Sequence, residues 1–215
     1  MATKSGDPQP ADVRRSKTMT WVLRHGAVEL KLPISPDGYI PLSSLLALPQ
    51  LRGTTVDDVQ RIVTNCKKQR FALDSSDPDP SNWRIRANQG HTIKQVQDEE
   101  LLVPVTLEEA SDLVCIHGTY FRHWESIYHN GLCRMARNHI HFAAGESTDV
   151  ISGMRTSAQL KIYVNMGQAI ADGIPFYKSA NNVLLCPGIG EKGILPSTYF
   201  LKVVRTKDGQ QIIPN

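Results

Sequence analysis

The chain has 215 residues, with 24 Lys and Arg against 21 Asp and Glu and a formal net charge of +3. That length suits one large domain or two small ones, and it buries a core without staples. With 40% hydrophobic and 21% charged residues, the composition is that of a globular protein, which excludes a wholly disordered chain, a collagen and a disulfide mini-scaffold.

Residues 1–13 are polar and hold two prolines, so a disordered leader without a signal peptide is expected there. A helix is predicted over 14–31, where Met19, Val22, Leu23 and Leu30 recur near helical spacing. Asp37-Gly38 marks a turn between short extended pieces. Pro41 is placed to open a second helix carrying Leu42, Leu45 and Leu46, which Pro49 stops. Thr55 reads as the N-cap of a third helix, with Asp57 and Asp58 in its first turn and Val56, Val59, Ile62 and Val63 as its buried stripe. Arg70–Leu73 and Trp83–Arg86 read as two strands joined by the turn-rich DSSDPDPSN. Helices followed by a hairpin are the pattern of a winged helix.

The character changes after Gly90. An acidic, apolar stretch over 98–112 reads as a linker. Strands are predicted near 113–117, 139–143, 159–165, 183–186 and 199–204, with one short helix from Trp124 to His129 that Gly131 stops. The expectation is an α+β protein of two lobes, 14–97 and 113–215.

Charge is segregated along this order. Residues 14–70 hold ten bases against four acids, a net of +6, whereas 71–112 hold three bases against nine acids, a net of −6. A basic first lobe suits a phosphate-bearing partner, although a solvated charged face produces the same pattern. The four cysteines, Cys66, Cys115, Cys133 and Cys186, form no CxxC pair. Reduced thiols in a soluble cytoplasmic or nuclear protein are therefore expected, without a zinc ribbon. No apolar run nears the roughly 18 residues of a membrane span.

Five of the seven histidines lie between 117 and 141. His139 and His141 alternate along a strand pattern and share a face. A metal site, a polar pocket wall and plain surface histidines all fit that clustering; no Asp, Glu or Cys set at ligand spacing supports the metal. His117-Gly118-Thr119 ends an apolar strand. There a glycine admits a ligand close to the backbone, Thr119 adds a hydroxyl, and His117 offers a donor to a ribose hydroxyl. Arg24-His25 falls within the first helix, and Arg70 and Arg155 stand beside short motifs. Arginine is permanently charged and bidentate, which suits phosphate.

Taken in order, RHG at 24–26, QRFAL at 69–73, IRANQGHT at 85–92, HGT at 117–119, HIHF at 139–142, SGMR at 152–155 and DGIPFYKSANNVLL at 172–185 resemble the RNA 2′-phosphotransferase family, from about Lys17 to Val204. No motif is broken; the nearest to a departure is Thr92, where the pattern leads one to expect Ser. The resemblance implies a winged-helix RNA lobe, an ADP-ribosyltransferase-like NAD⁺ lobe and an active site in the cleft between them. It implies transfer of an internal RNA 2′-phosphate, as at the splice junction of tRNA, to NAD⁺ consumed as cosubstrate. The products are 2′-OH RNA, nicotinamide and ADP-ribose 1″,2″-cyclic phosphate, reached through an ADP-ribosylated RNA 2′-phosphate. The catalytic tetrad maps onto Arg24, His25, Arg70 and Arg155, with His25 moving protons and the arginines clamping phosphate. The NAD⁺ site maps onto His117, Gly118, Thr119, Ser126, Gly131, Leu132, His139 and His141, with Lys178, Ser179 and Asn181 either touching NAD⁺ or supporting the pocket. A monomer needing no metal and no membrane is expected. Charge and periodicity alone give neither NAD⁺ nor the reaction. An ADP-ribosyltransferase without the second step, and a non-enzymatic winged-helix binder, are the alternatives; the full tetrad argues against the first, and HGT, the HIH pair and Arg155 argue against the second.

Overall fold

A computed structural model describes residues 9–146, 154–155 and 157–213. The chain divides into two compact units, one ending at Glu100 and one beginning at Leu101.

In the first unit, α1 runs from Pro10 to Trp21, so residues 10–13 are helical rather than part of a leader. Proline is preorganised for the first helical position. The decisive residue is Asp12, which is buried although charged. It accepts from Arg61 Nε and Nη2, each at 3.0 Å, and pairs with Arg15 at 3.4 Å. The Arg61 hydrogen bond holds the Asp12 carboxyl below its ordinary pKa. Nothing local in the sequence shows a partner 49 residues away. The predicted single helix also ends early: Val22–Gly26 is a π-helical turn, and residues 27–31 are turn. Gly26 is required by crowding within this segment, since a Cβ there would lie 2.6 Å from the Trp21 ring.

The chain continues through β1 (Ile40–Pro41), α2 (Leu42–Leu46), a 3₁₀ turn at Pro49–Leu51 and α3 (Val56–Thr64). Thr55 caps α3 as expected, through a reciprocal pair with Asp58. Then come β2 (Phe71–Asp74) and β3 (Arg84–Ala87). The three strands form an antiparallel sheet in the order β1-β3-β2, with Phe71 opposite Ala87 and Ile40 opposite Ile85. Met19, Val22, Leu23, Leu45, Val59, Ile62, Phe71 and Ile85 make one buried cluster. Helix stripe and strand faces thus close on each other.

The stretch 98–112 is not a linker. It holds α4 (Asp98–Leu101), β4 (Val103–Pro104) and α5 (Leu107–Asp112). Strand β4 pairs with a later strand, and Thr106 caps α5 through a capping box with Glu109. Two extended residues, one of them a proline, carry too little pattern to be read as a strand.

The second unit adds β5 (Cys115–Thr119), α6 (Phe121–Asn130), β6 (Leu132–Cys133), β7 (Ile140–Ala144), β8 (Leu160–Val164), α7 (Met166–Ala171), β9 (Tyr177–Lys178), β10 (Val183–Cys186), β11 (Ile194–Leu195), β12 (Phe200–Arg205) and β13 (Gln211–Ile213). Among the described residues the large sheet has eight strands in the order β13-β12-β8-β5-β7-β10-β9-β4, and β6 pairs separately with β11. All its pairs are antiparallel. Cys115, Phe142, Ile162, Val164, Phe176 and Leu184 lie in its core. The longer strands fall where the alternation places them; the two-residue strands and α7 do not announce themselves.

Gly131 ends α6 with φ 81° and ψ 179°. That region is essentially reserved to glycine, and a Cβ would stand 2.3 Å from the Leu195 carbonyl oxygen. Gly131→Ala is expected to destabilise the second unit by about 2–4 kcal/mol, lowering its melting temperature by roughly 6–24 °C in calorimetry. An unchanged melting temperature would remove the conformational reason for this glycine.

Candidate functional site

Arg24 and His25 both lie on the π-helical turn. Such turns widen a helix by one residue and occur often at functional sites. Arg24 is half-buried and His25 exposed. The loop after β3 packs against them: Thr92 N–H donates to the Arg24 carbonyl at 2.9 Å, and Thr92 Oγ1 lies 3.1 Å from His25 Nδ1. Gly90, at φ 88°, has the Arg24 guanidinium 3.3 Å from where its Cβ would stand. A side chain there would push on the guanidinium. The same loop reaches Arg70, since Asn88 N–H donates to the Arg70 carbonyl at 2.9 Å and Asn88 Nδ2 to the Gln69 carbonyl at 2.7 Å. Arg70 Nη1 and its backbone N–H each lie 3.4 Å from Cys66 Sγ. Residues 88–92 therefore tie the turn bearing Arg24 and His25 to the strand start bearing Arg70. Asn88, Gln89 and His91 are buried polar residues, and such burial is expected only where hydrogen bonds organise a loop. Gly90 and Asn88 carried no role in the sequence reading, although a polar run directly after a strand was the available signal.

In the second unit His117 lies on β5, and its Nδ1 is 3.0 Å from the His141 carbonyl oxygen. A carbonyl only accepts, so Nδ1 carries the proton. Burial is the main cause lowering the His117 pKa; the bond to His141 opposes it and the Arg137 charge adds to it. The neutral ring thus presents Nε2 as an acceptor, which corrects the expected donor role toward a ribose hydroxyl. Thr119 is buried at the end of the strand. The space that Gly118 leaves is filled by Met154: a Cβ on Gly118 would stand 2.2 Å from Met154 Cγ.

Arg155 is exposed beside Tyr120. The phenol is 2.9 Å from Ser157 Oγ, and hydrogen bonds first to Ser157 and then to Arg155 lower its pKa. Arg137 stands near enough that the Arg155 charge, added to desolvation, lowers its own pKa, and its Nη1 is 3.5 Å from His141 Nδ1. Two cations that act on one another raise the local attraction for an anion. Arg137 and Tyr120 went unnoticed in sequence; the position of Arg137 two residues before HIH was the only signal.

The other expected residues are dispersed. Leu132 is 2% exposed and packs in the core, so its side chain cannot line a nucleotide site. Ser126 is exposed on α6, where its carbonyl accepts from Asn130 Nδ2 at 3.0 Å. His139 is buried with its ring 6.0 Å from that of Tyr177, while His141 is half-buried opposite the face that carries Ile140 and Phe142. Ser179 and Asn181 bond each other at 2.8 Å in the buried turn before β10, and Lys178 pairs with Glu109 at 3.8 Å. Ser179 and Asn181 thus brace the turn, whereas Lys178 reaches α5. Ser152 and Gly153 of SGMR lie outside the described residues. Among the described residues no group of three or more His, Cys, Asp or Glu gathers as metal ligands, and no helix is long and apolar enough to cross a membrane.

The His117 geometry gives a pH prediction. The folded ring binds a proton less readily than an unfolded histidine, whose pKa is about 6.5. Below that pH the unfolded chain takes up a proton that the native ring resists, so stability falls as pH drops through it. His117→Asn is expected to flatten the decline of melting temperature between about pH 7 and 5.5. An equally steep decline would show that other groups produce it.

Residues 10–188 match the family model described as RNA 2′-phosphotransferase, Tpt1/KptA family. The chain is 45% identical over 201 residues to a Bos taurus protein named tRNA 2′-phosphotransferase 1, covering 93% of this chain and 78% of that one. A Homo sapiens protein of the same name is 44% identical over the same coverage. The Saccharomyces cerevisiae tRNA 2′-phosphotransferase is 40% identical over 187 residues, covering 83% of this chain and 80% of that one.

Proposed function

Because the chain belongs to the RNA 2′-phosphotransferase family, we propose that it transfers an internal 2′-phosphate of RNA, that of a spliced tRNA, to NAD⁺. The observation that carries this reading is the gathering of Arg24, His25 and Arg70 around one loop, with all three side chains at least partly open to solvent. Two permanent cations and one titratable group are the equipment of a phosphoryl-transfer site. We read the first unit as a winged-helix RNA lobe, supported by its helices, its hairpin and the net +6 of residues 14–70. We read the second as an NAD⁺ lobe of the ADP-ribosyltransferase type. Its fit rests on the neutral His117 ring, whose Nε2 can accept from a ribose hydroxyl.

The proposed chemistry has two steps. An oxygen of the RNA 2′-phosphate bonds to C1″ of the nicotinamide riboside, and nicotinamide leaves with the electron pair of the broken C–N bond. The phosphate is already an anion, so this step needs positioning more than a base. The ribose 2″-OH then bonds to the same phosphorus while the bond to the RNA 2′-oxygen breaks. His25 takes the 2″-OH proton, and a proton returns to the RNA oxygen. Arg24, Arg70 and Arg155 neutralise the charge that gathers on the phosphoryl oxygens. The products are 2′-OH RNA, nicotinamide and ADP-ribose 1″,2″-cyclic phosphate.

The test is incubation of the protein with NAD⁺ and a short RNA bearing one labelled internal 2′-phosphate. Label in ADP-ribose cyclic phosphate, only with NAD⁺ present, supports the reading. Label left on ADP-ribosylated RNA overturns the second step, and untouched label overturns the reading. RNA affinity is expected to fall with salt, at about 0.7 logarithmic units per logarithmic unit of salt for each phosphate contacted on a single strand. A flat response in a binding titration would remove RNA from the basic unit.

A further inference from the structure

Arg70 is held on both sides of its backbone and again at the end of its side chain. Gln69, the residue before it, stands at φ 42°, a left-handed conformation that few residues other than glycine adopt. Its N–H donates to the Cys66 carbonyl at 2.7 Å, so the chain doubles back over residues 66–69. Asn88 N–H donates to the Arg70 carbonyl, whereas Arg70's own N–H donates to Cys66 Sγ at 3.4 Å. Arg70 Nη1 donates to the same sulfur, also at 3.4 Å. A guanidinium and an amide N–H only donate, so the sulfur accepts in both contacts, whichever way the thiol proton points. The thiol is half-buried and packs against the buried cluster of the first unit. Sulfur takes Nη1 and leaves the Nε–Nη2 edge, whose parallel N–H groups match two oxygens of a phosphate.

We propose that Cys66 is a positioning residue for Arg70: one sulfur, bonded to both the backbone and the guanidinium of the arginine, sets the guanidinium to meet the RNA 2′-phosphate. This deepens the reading above, in which Arg70 clamps that phosphate, and rests on it. Sulfur is a weak acceptor, so the contact gives direction more than strength. A free arginine side chain has many rotamers, and selecting one before the substrate arrives removes part of the ordering cost of binding. Cys66 lies three residues before QRFAL and outside every motif that carries the family resemblance.

The test measures how tightly the full chain binds a short RNA with one internal 2′-phosphate and the same RNA with a 2′-OH, without NAD⁺, so that binding alone is read. The wild type is expected to prefer the phosphorylated RNA. Cys66→Val, of similar volume without the acceptor, is expected to lose about 2- to 12-fold of that preference, the net worth of one hydrogen bond. Its affinity for the 2′-OH RNA should stay within about twofold of wild type. Cys66→Ser, which keeps an acceptor, should restore most of the preference, and it replaces the valine variant if that one melts early. Arg70→Met removes the guanidinium. In that background Cys66→Val is expected to cost nothing further, because a residue that acts through Arg70 has nothing left to act on. Full preference in Cys66→Val, or an equal loss in both backgrounds, would overturn the proposal. A wild type that binds both RNAs alike would overturn it together with the clamp. If the preference and its loss were seen but NAD⁺ brought no transfer of label, the transfer reading would fail while the Cys66 assignment stood.

Discussion

Arg155→Ala is expected to slow removal of the labelled 2′-phosphate by about 10³-fold, within the range that single cationic groups contribute to phosphoryl transfer. The argument rests on where Arg155 stands. It is exposed and lies outside the core, so its loss leaves no cavity and no buried unpaired group. Its neighbours are the Tyr120 phenol and the Arg137 guanidinium. One cation beside another is retained at a cost in repulsion, and a phosphate relieves that cost. Arg155→Lys is expected to recover only part of the rate, because an ammonium keeps the charge without the bidentate fork. Single-turnover kinetics with the labelled RNA measures the rate, and calorimetry should give an unchanged melting temperature. Activity within threefold of wild type would remove Arg155 from the clamp.

His25→Ala has the second large effect, expected at about 10²- to 10⁴-fold on kcat. It should also change what accumulates. The first step uses an oxygen that is already anionic, whereas the second must deprotonate a hydroxyl. Losing the proton acceptor therefore slows the second step, and ADP-ribosylated RNA should build up in a quenched time course. Loss of turnover with no such species would move His25 to the first step or to binding. The structure sharpens the expectation, since His25 is exposed, so truncation is expected to leave the first unit folded.

The sequence made the long elements readable for a physical reason: Thr55 with Asp58, the stripe of Val59 and Ile62, and the alternation of Ile140 and Phe142 are signals confined to a few neighbouring residues. What it concealed depends on distant partners. Asp12 looked like part of a polar leader because Arg61 is remote, and residues 98–112 looked like a linker because β4 gains its identity only from β9. The site shows the same divide. Arg24, His25 and Arg70 were found as residue types in a resembling order, but periodicity cannot show that residues 88–92 hold them, or that a π-helical turn presents two of them. Leu132 entered the expected nucleotide site through the resemblance alone, and nothing local in the sequence shows that pairing with Leu195 on β11 buries its side chain.

The strand that carries His117 pairs with β7 and β8 and so only with segments that follow it in the chain. A ribosome releasing this protein therefore completes the two units unequally. The first has its helices and hairpin within its first hundred residues, whereas β5 gains β7 on one edge only after Ala144 has emerged and keeps its other edge open until Val164 has emerged. Strand β12 must then join β8 from the far side. Formation of such distant pairs is slow, and open strand edges are sticky while it proceeds. A chain interrupted before β8 would leave the apolar Cys115-Ile116 segment without its β8 partner, so nascent-chain aggregation should rise with pauses between residues 120 and 165 and subside once β8 is out.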